Sequence, residues 1–146
     1  MILALGADHR GYNFKELVKG LLATESHTVH DFGTYAPESA DYPEYGIKAA
    51  EAVARGDADF GIIVCGTGNG MAMAANKVRG IRAALVLNVE MARLARAHND
   101  ANVLVLSDMF TPEGQIADIV KTFLDTSFEG GRHARRIARI KDYERG

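Results

Sequence analysis

The one cysteine, Cys65, stands directly before three alternating glycines, Gly66, Gly68 and Gly70, with Thr67 and Asn69 between them. The apolar run Phe60 to Val64 leads into this segment, and a small-residue stretch from Met71 to Lys77 follows it. Glycines at alternate positions let the backbone take positive φ and come close to a ligand. Free N–H groups where a helix begins favour an anion or a developing oxyanion. A thiol at that point is expected to fall below its ordinary pKa of about 8.5 and to act as a base or nucleophile. Two plainer readings stand beside this one. Glycines also build tight strand-to-helix turns without chemistry, and a lone cysteine in a strand is often a small buried hydrophobe. The spacing excludes several phosphate and nucleotide loops. A dinucleotide turn needs G-x-G-x-x-G, a nucleoside-triphosphate loop needs Lys-Ser or Lys-Thr after its last glycine, and a cysteine-phosphatase loop closes on an arginine. Here the pattern is G-x-G-x-G, Met71-Ala72 follow Gly70, and the first arginine after Cys65 is Arg79.

Three further groups could bear chemistry. Asp8-His9 follows the first apolar run, where Asp8 could bind substrate or simply hydrogen-bond its own turn. His98-Asn99-Asp100 closes an apolar-periodic stretch, so His98 is either an acid–base group near neutral pH or a favourable helix-end cation. Arg132 and Arg136 are four residues apart, hence on one helix face, and two guanidinium forks suit a phosphate. The alternative is a solvated basic helix. No two histidines have the H-E-x-x-H spacing of a zinc site, so no metal centre is expected.

The elements that must position these residues alternate. Strand-like runs at Ile2–Leu5, His27–Phe32, Phe60–Val64, Ala83–Leu87 and Val103–Leu106 are separated by helix-periodic stretches. Phe14, Leu17, Val18, Leu21 and Leu22 form one apolar stripe, and Ile116, Ile119, Val120, Phe123 and Leu124 another. A helix start is expected between Ser39 and Pro43, with Ile47, Ala50, Val53 and Ala54 buried. Met91, Leu94, Ala95 and His98 share a face, and Arg132 to Tyr143 reads as a basic helix after Gly130-Gly131. Strands that are apolar throughout are buried on both faces, which means a parallel sheet covered by helices. The expectation is an α/β, Rossmann-like (flavodoxin-like) three-layer sandwich with a five-stranded parallel sheet in the order 2-1-3-4-5. Ligands would then sit at the strand C-termini near the switch point.

Composition narrows the function classes. With 146 residues, 47% of them hydrophobic, residues 1–146 are expected to form one domain with a proper core. Lys plus Arg is 17 and Asp plus Glu is 19, a balance that argues against a broad nucleic-acid or membrane surface. The charge is uneven, because Arg132 to Arg139 holds four arginines and one histidine. One cysteine forms no intrachain disulfide, the N-terminus reads as a strand rather than a signal peptide, and no apolar run approaches about 20 residues. A cytoplasmic location is expected.

The motifs as a set resemble one family, ribose-5-phosphate isomerase of type B with its relatives the galactose-6-phosphate isomerase subunits. The segments that carry the resemblance are Gly6 to Gly11, Asp41-Tyr42-Pro43, Cys65 to Gly70, Ala74 to Lys77, Gly80 to Ala83, Ala97 to Asn102 and Gly130 to His133. The resemblance implies reversible aldose–ketose isomerisation of a sugar phosphate through a cis-enediolate, with no metal and no cofactor. It implies Cys65 as the base, Thr67 supporting the reacting oxygens, and the N–H groups of Gly66, Gly68, Asn69 and Gly70 holding the enediolate. His98 would open the sugar ring near Asp8 and Tyr42, Asn99 would contact the enediolate or a hydroxyl, and His9, Arg132 and Arg136 would hold the phosphate. It further implies a homodimer or dimer of dimers with the site between subunits, His98 and Asn99 coming from the partner chain. One stretch departs from the family. An arginine that reaches the phosphate usually follows the last strand, and here Ser107-Asp108-Met109-Phe110 puts a carboxylate there. Ribose 5-phosphate is the first substrate expected. Erythrulose 4-phosphate, allose 6-phosphate and galactose 6-phosphate are the alternatives, and a non-catalytic phosphosugar-binding module is the reading from a different class.

Overall fold

The computed structural model describes residues 1–34 and 42–146; the side chain of Tyr42 also lies outside the description. Strands and helices alternate as β1 (Ile2–Ala7), α1 (Tyr12–Thr24), β2 (Thr28–Asp31), α2 (Tyr42–Ala54), β3 (Phe60–Cys65) and α3 (Asn69–Asn76). They continue as β4 (Ala83–Leu85), α4 (Val89–Asn99), β5 (Val103–Ser107), α5 (Ile116–Asp125) and α6 (Arg132–Arg145). The expected helix start at Ser39 falls outside the described residues, whereas Pro43 does sit in the first turn of α2. All strand pairings are parallel. No described helix is long and apolar enough to cross a membrane.

The strand order is β2-β1-β3-β5-β4, so the last two strands are exchanged relative to the expected order. Burial explains the exchange. The sequence Val103-Leu104-Val105-Leu106-Ser107 is buried at every position, while Ala83-Ala84-Leu85 is half-buried throughout and makes a short edge. An apolar strand belongs inside the sheet, where both faces are covered. The exchange also reverses the direction of the β4-to-β5 crossover. Right-handed crossovers then place α4 on the face of α1 and α5, rather than beside α2 and α3.

Two apolar layers result. On one face Leu3, Leu5, Ile62, Val64, Leu104 and Leu106 meet α1, α4 and α5, with Phe123 of α5 edge-on to Phe60 at 5.6 Å. On the other face Ala4, Ile63, Val103 and Val105 meet the alanines of α2 and α3, and Cys65 belongs to this layer. Because α1 leaves β1 toward one face and α3 leaves β3 toward the other, a crevice opens at the C-terminal ends of these two adjacent strands.

Candidate active site

The crevice is built from the β1 and β3 exits. Cys65 is the last residue of β3 and is buried. Its Sγ accepts the Gly68 N–H at 3.1 Å. Gly68 has φ +89, and a Cβ there would stand 2.3 Å from Leu85 Cδ1, so the turn requires glycine. The Thr67 hydroxyl accepts the Asn69 N–H at 3.2 Å and so covers the start of α3. Asp8 is buried, accepts the Gly11 N–H on Oδ1 at 2.9 Å, and donates its own N–H to Val64 O at 3.3 Å. Asp8 therefore does hydrogen-bond its turn, and it also lines the crevice. Asp8, Arg10, Cys65, Gly66, Thr67 and Gly70 surround a cleft of about 300 Å³. His9 is half-buried in the same turn, between Asp8 and Arg10.

Arg10 is the residue that spacing alone did not single out. A Cβ on Gly66 would stand 3.2 Å from Arg10 Cδ and Nε, so the arginine lies along the glycine. The signal available was its place beside Asp8-His9 at the end of β1, the edge where cleft residues collect.

The thiol is not lowered as expected from its place before α3. Burial, the strongest influence, pushes the Cys65 pKa up. The N–H groups of Met71 and Gly68 pull it down, while the carboxylates of Asp8 and Asp108 push it up again, and the net direction is upward. Asp108 follows β5, and its N–H donates to the Cys65 carbonyl at 3.0 Å. Burial raises the Asp108 carboxyl too, with the nearby Arg10 guanidinium opposing and Asp8 adding.

His98, Asn99, Arg132 and Arg136 lie at the other end of the sheet. His98 is next to last in α4, whose chain then turns back into Val103, the first residue of β5. Ser107, at the far end of β5, is level with Cys65. Four strand steps separate the two ends, about 13 Å. Arg82 caps the α4 terminus through Asn99 O at 3.0 Å and Asp100 O at 2.8 Å, and Asp100 takes a left-handed φ of 46. Gly80 to Ala83 and Ala97 to Asn102 thus act together to fix the helix end that carries His98 and the exposed Asn99. The His98 ring stacks on His133 at 4.2 Å, and Glu129 faces both, 3.8 Å from His98 Nε2 and 3.6 Å from His133 Nε2. Burial first, then His98 and the α6 arginines, hold His133 below the usual histidine pKa. Arg132 and Arg136 are exposed and share a second cleft of about 300 Å³ with Arg135 and Arg139.

Glu129 was not apparent from the sequence, because it reaches His98 only through the fold. His98, Glu129 and His133 offer three potential ligand atoms within 4.8 Å of one another. The rings are 11° from parallel, so their lone pairs run side by side rather than converging as a shared metal requires. Within one chain, then, the structure gathers Asp8, Arg10, Cys65, Gly66, Thr67 and Gly70, and separately gathers His98, His133, Arg132 and Arg136. It does not bring the two sets together.

The family model described as ribose/galactose isomerase matches residues 3–140. The chain belongs to this family. It is similar to ribose-5-phosphate isomerase B of Clostridium thermocellum, with 48% identity, 99% of this chain and 98% of that one covered, and a TM-score of 0.97. Ribose-5-phosphate isomerase B of Mycoplasma genitalium, solved with bound ribulose-5-phosphate, is 43% identical with a TM-score of 0.93, over 99% of this chain and 96% of that one. Galactose-6-phosphate isomerase subunit LacB of Clostridium acetobutylicum is 41% identical over 94% of this chain and 79% of its own length. This family member is an aldose–ketose isomerase.

Proposed function

We propose that this isomerase interconverts ribose 5-phosphate and ribulose 5-phosphate in the cytoplasm, through a cis-enediolate, with Cys65 as the base. The observation that carries the reading is the placement of the Cys65 sulfur. It lies in the cleft lined by Asp8, Arg10 and Thr67, at 3.1 Å from the Gly68 nitrogen. In this mechanism the thiolate takes the proton from C2 of the open-chain aldose. The C2 electron pair forms the C1–C2 double bond, and the carbonyl electrons move onto O1. N–H groups of the loop from Gly66 to Gly70 stabilise that charge. The thiol returns its proton to C1 while the O2 proton passes to O1 by way of Thr67, which leaves the ketone at C2. Substrate and product are isomers, so no cofactor enters the balance.

The same reading requires a second copy of the chain. His98, with ring opening as its task, and Arg132 and Arg136, with the phosphate, belong to the opposite end of β5 from Cys65 within one protomer, and that strand spans about 13 Å. A two-fold dimer that lays the α6 end of one copy over the Cys65 cleft of the other makes two complete sites. There Asp8, Tyr42 and Asn99 would contact the sugar, and His9 would join the two arginines on the phosphate. Dimer closure also brings cationic side chains toward the thiol, opposing the push of Asp8 and Asp108.

A second substrate reading draws on Asp108 beside the Cys65 cleft and on the likeness to a galactose-6-phosphate isomerase subunit. It is the same chemistry on a four- or six-carbon sugar phosphate. Coupled assays on erythrulose 4-phosphate, ribose 5-phosphate, allose 6-phosphate and galactose 6-phosphate decide between them. The proposal expects the highest kcat/KM on ribose 5-phosphate. A tenfold preference for any other sugar would transfer the assignment to that sugar.

A further inference from the structure

Ser107, the last residue of β5, is fully buried and has no place in the chemistry above. Its hydroxyl is 2.6 Å from the carbonyl oxygen of Gly66. The Phe110 N–H donates to the same hydroxyl at 3.0 Å, so the hydroxyl proton is left for Gly66 O. The Ser107 N–H donates to Thr111 Oγ1 at 3.0 Å, and the Thr111 hydroxyl donates to Val86 O at 3.2 Å. Thr111 thus holds the Ser107 N–H, whereas the hydroxyl that reaches the loop is held by the Phe110 N–H.

The Gly66 carbonyl it holds points in an unusual direction. In a regular strand successive carbonyls point to opposite neighbours. Val64 O accepts from Asp8 on the β1 side, and Cys65 O accepts from Asp108 on the β5 side. Continuing the alternation would send Gly66 O back toward β1. Instead it accepts from Ser107 Oγ and from the Met109 N–H, both on the β5 side. The alternation therefore breaks at Gly66. In a planar trans peptide the C=O and the next N–H point opposite ways. With Gly66 O turned to β5, the Thr67 N–H points away from β5, toward the side of the cleft formed by Asp8 and Arg10. Among the described residues no group accepts from that N–H.

We infer that Ser107 is a positioning residue for the enediolate site: its hydroxyl holds the Gly66–Thr67 peptide so that the Thr67 N–H faces the reacting oxygens. The inference rests on the reading of the Cys65 cleft as the place where the enediolate forms. Met109 supplies a second bond to the same carbonyl, so removing the hydroxyl loosens the peptide rather than freeing it.

The test compares Ser107→Ala with Thr111→Val, which removes neighbouring buried hydrogen bonds but none to Gly66. Steady-state kinetics on ribose 5-phosphate are measured beside thermal unfolding. Calorimetry measures binding of a phosphorylated erythronohydroxamate, a planar imitation of the enediolate, and of ribitol 5-phosphate, which cannot become planar. Ser107→Ala is expected to lower kcat about tenfold with KM within about twofold, and to weaken the hydroxamate about tenfold while sparing ribitol 5-phosphate. Thr111→Val is expected to lose comparable thermal stability with kcat near wild type. Ser107→Cys, which keeps a weak donor in nearly the same volume, should fall between wild type and Ser107→Ala. Loss of kcat in Thr111→Val equal to that in Ser107→Ala, or a Ser107→Ala enzyme within twofold of wild type, overturns the inference. If the wild type turns over no sugar phosphate, the isomerase reading fails, and the hydroxamate comparison still decides the role of Ser107. Equal affinity of wild type and Ser107→Ala for the hydroxamate, or binding by neither, overturns it there as well.

Discussion

Asp108 donates its N–H to the Cys65 carbonyl at 3.0 Å, and its carboxylate is one of two that push the Cys65 thiol upward. Backbone register and thiol electrostatics are therefore coupled through one residue. Asp108→Asn keeps the N–H and removes the negative charge. The thiolate is then less disfavoured, so the thiol pKa falls and the ascending limb of the kcat/KM profile moves to lower pH. The rate of Cys65 alkylation by iodoacetamide, followed against pH, should move the same way. A limb that stays in place or moves to higher pH contradicts this assignment.

Lys15 and Asp31 form a buried ion pair at 2.5 Å, with Lys19 and the Gly33 N–H also bonded to the Asp31 carboxylate. Burial pushes the Asp31 pKa up, but the bonds from Lys15, Gly33 and Lys19 together hold it below its ordinary value. The folded pKa lies below the unfolded one, so this group's stabilisation is present above about pH 4 and is lost as pH falls through the lower folded value. Lys15→Met leaves the carboxylate to Lys19 and the Gly33 N–H and should cost about 1.5–3 kcal/mol at pH 7, with a smaller deficit near pH 3. Urea unfolding at pH 7, 5 and 3 measures both. A constant deficit across that range removes Asp31 from the explanation.

Replacing Arg132 or Arg136 by Ala should raise KM for a phosphorylated sugar roughly tenfold to a hundredfold, the range for a lost charge-assisted contact. Ribose itself should lose far less. Similar losses on both substrates would mean that these arginines do not bind phosphate.

Much of this was legible in the sequence for physical reasons. Phe60 to Val64 is apolar at nearly every position, so a buried strand had to deliver Cys65 to the glycine turn, and it does. Arg132 and Arg136 fall on one helix face because the spacing is four, and both line one cleft. What spacing could not give was order across the sheet. Val103 to Leu106 and Ala83 to Leu87 both read as apolar runs, and only their burial, complete in β5 and partial in β4, separates a central strand from an edge. The Glu129–His98 contact was equally hidden, since 31 positions separate the two and only the turn before α6 unites them. The thiol shift was misjudged because the helix start was visible, whereas the burial of Cys65 and the approach of Asp108 were not.

The two halves of the proposed site can be tested by exchange between subunits. Cys65→Ala and His98→Asn proteins should each be inactive alone. If each site takes Cys65 from one copy and His98 from the other, a mixed dimer holds one intact site and one doubly altered site. Unfolding and refolding the two variants together at equal amounts should then recover about a quarter of wild-type activity. Size exclusion confirms that dimers have reformed. No recovery in reassorted dimers would place Cys65 and His98 in different functions.

Cys65 as the proton-moving base is tested most directly by hydrogen exchange rather than by turnover. Ribose 5-phosphate is incubated in deuterated water with wild type and with Cys65→Ala, and label at C1 and C2 is read by NMR. Calorimetry on the same samples reports sugar-phosphate binding. With Cys65 as the base, wild type introduces deuterium from solvent during isomerisation. Cys65→Ala introduces none and isomerises at least about a thousandfold more slowly, yet binds within a few-fold of wild type. Deuterium incorporation and turnover near the wild-type rate in Cys65→Ala would contradict the account, and the proton would have to be moved by another residue of the cleft.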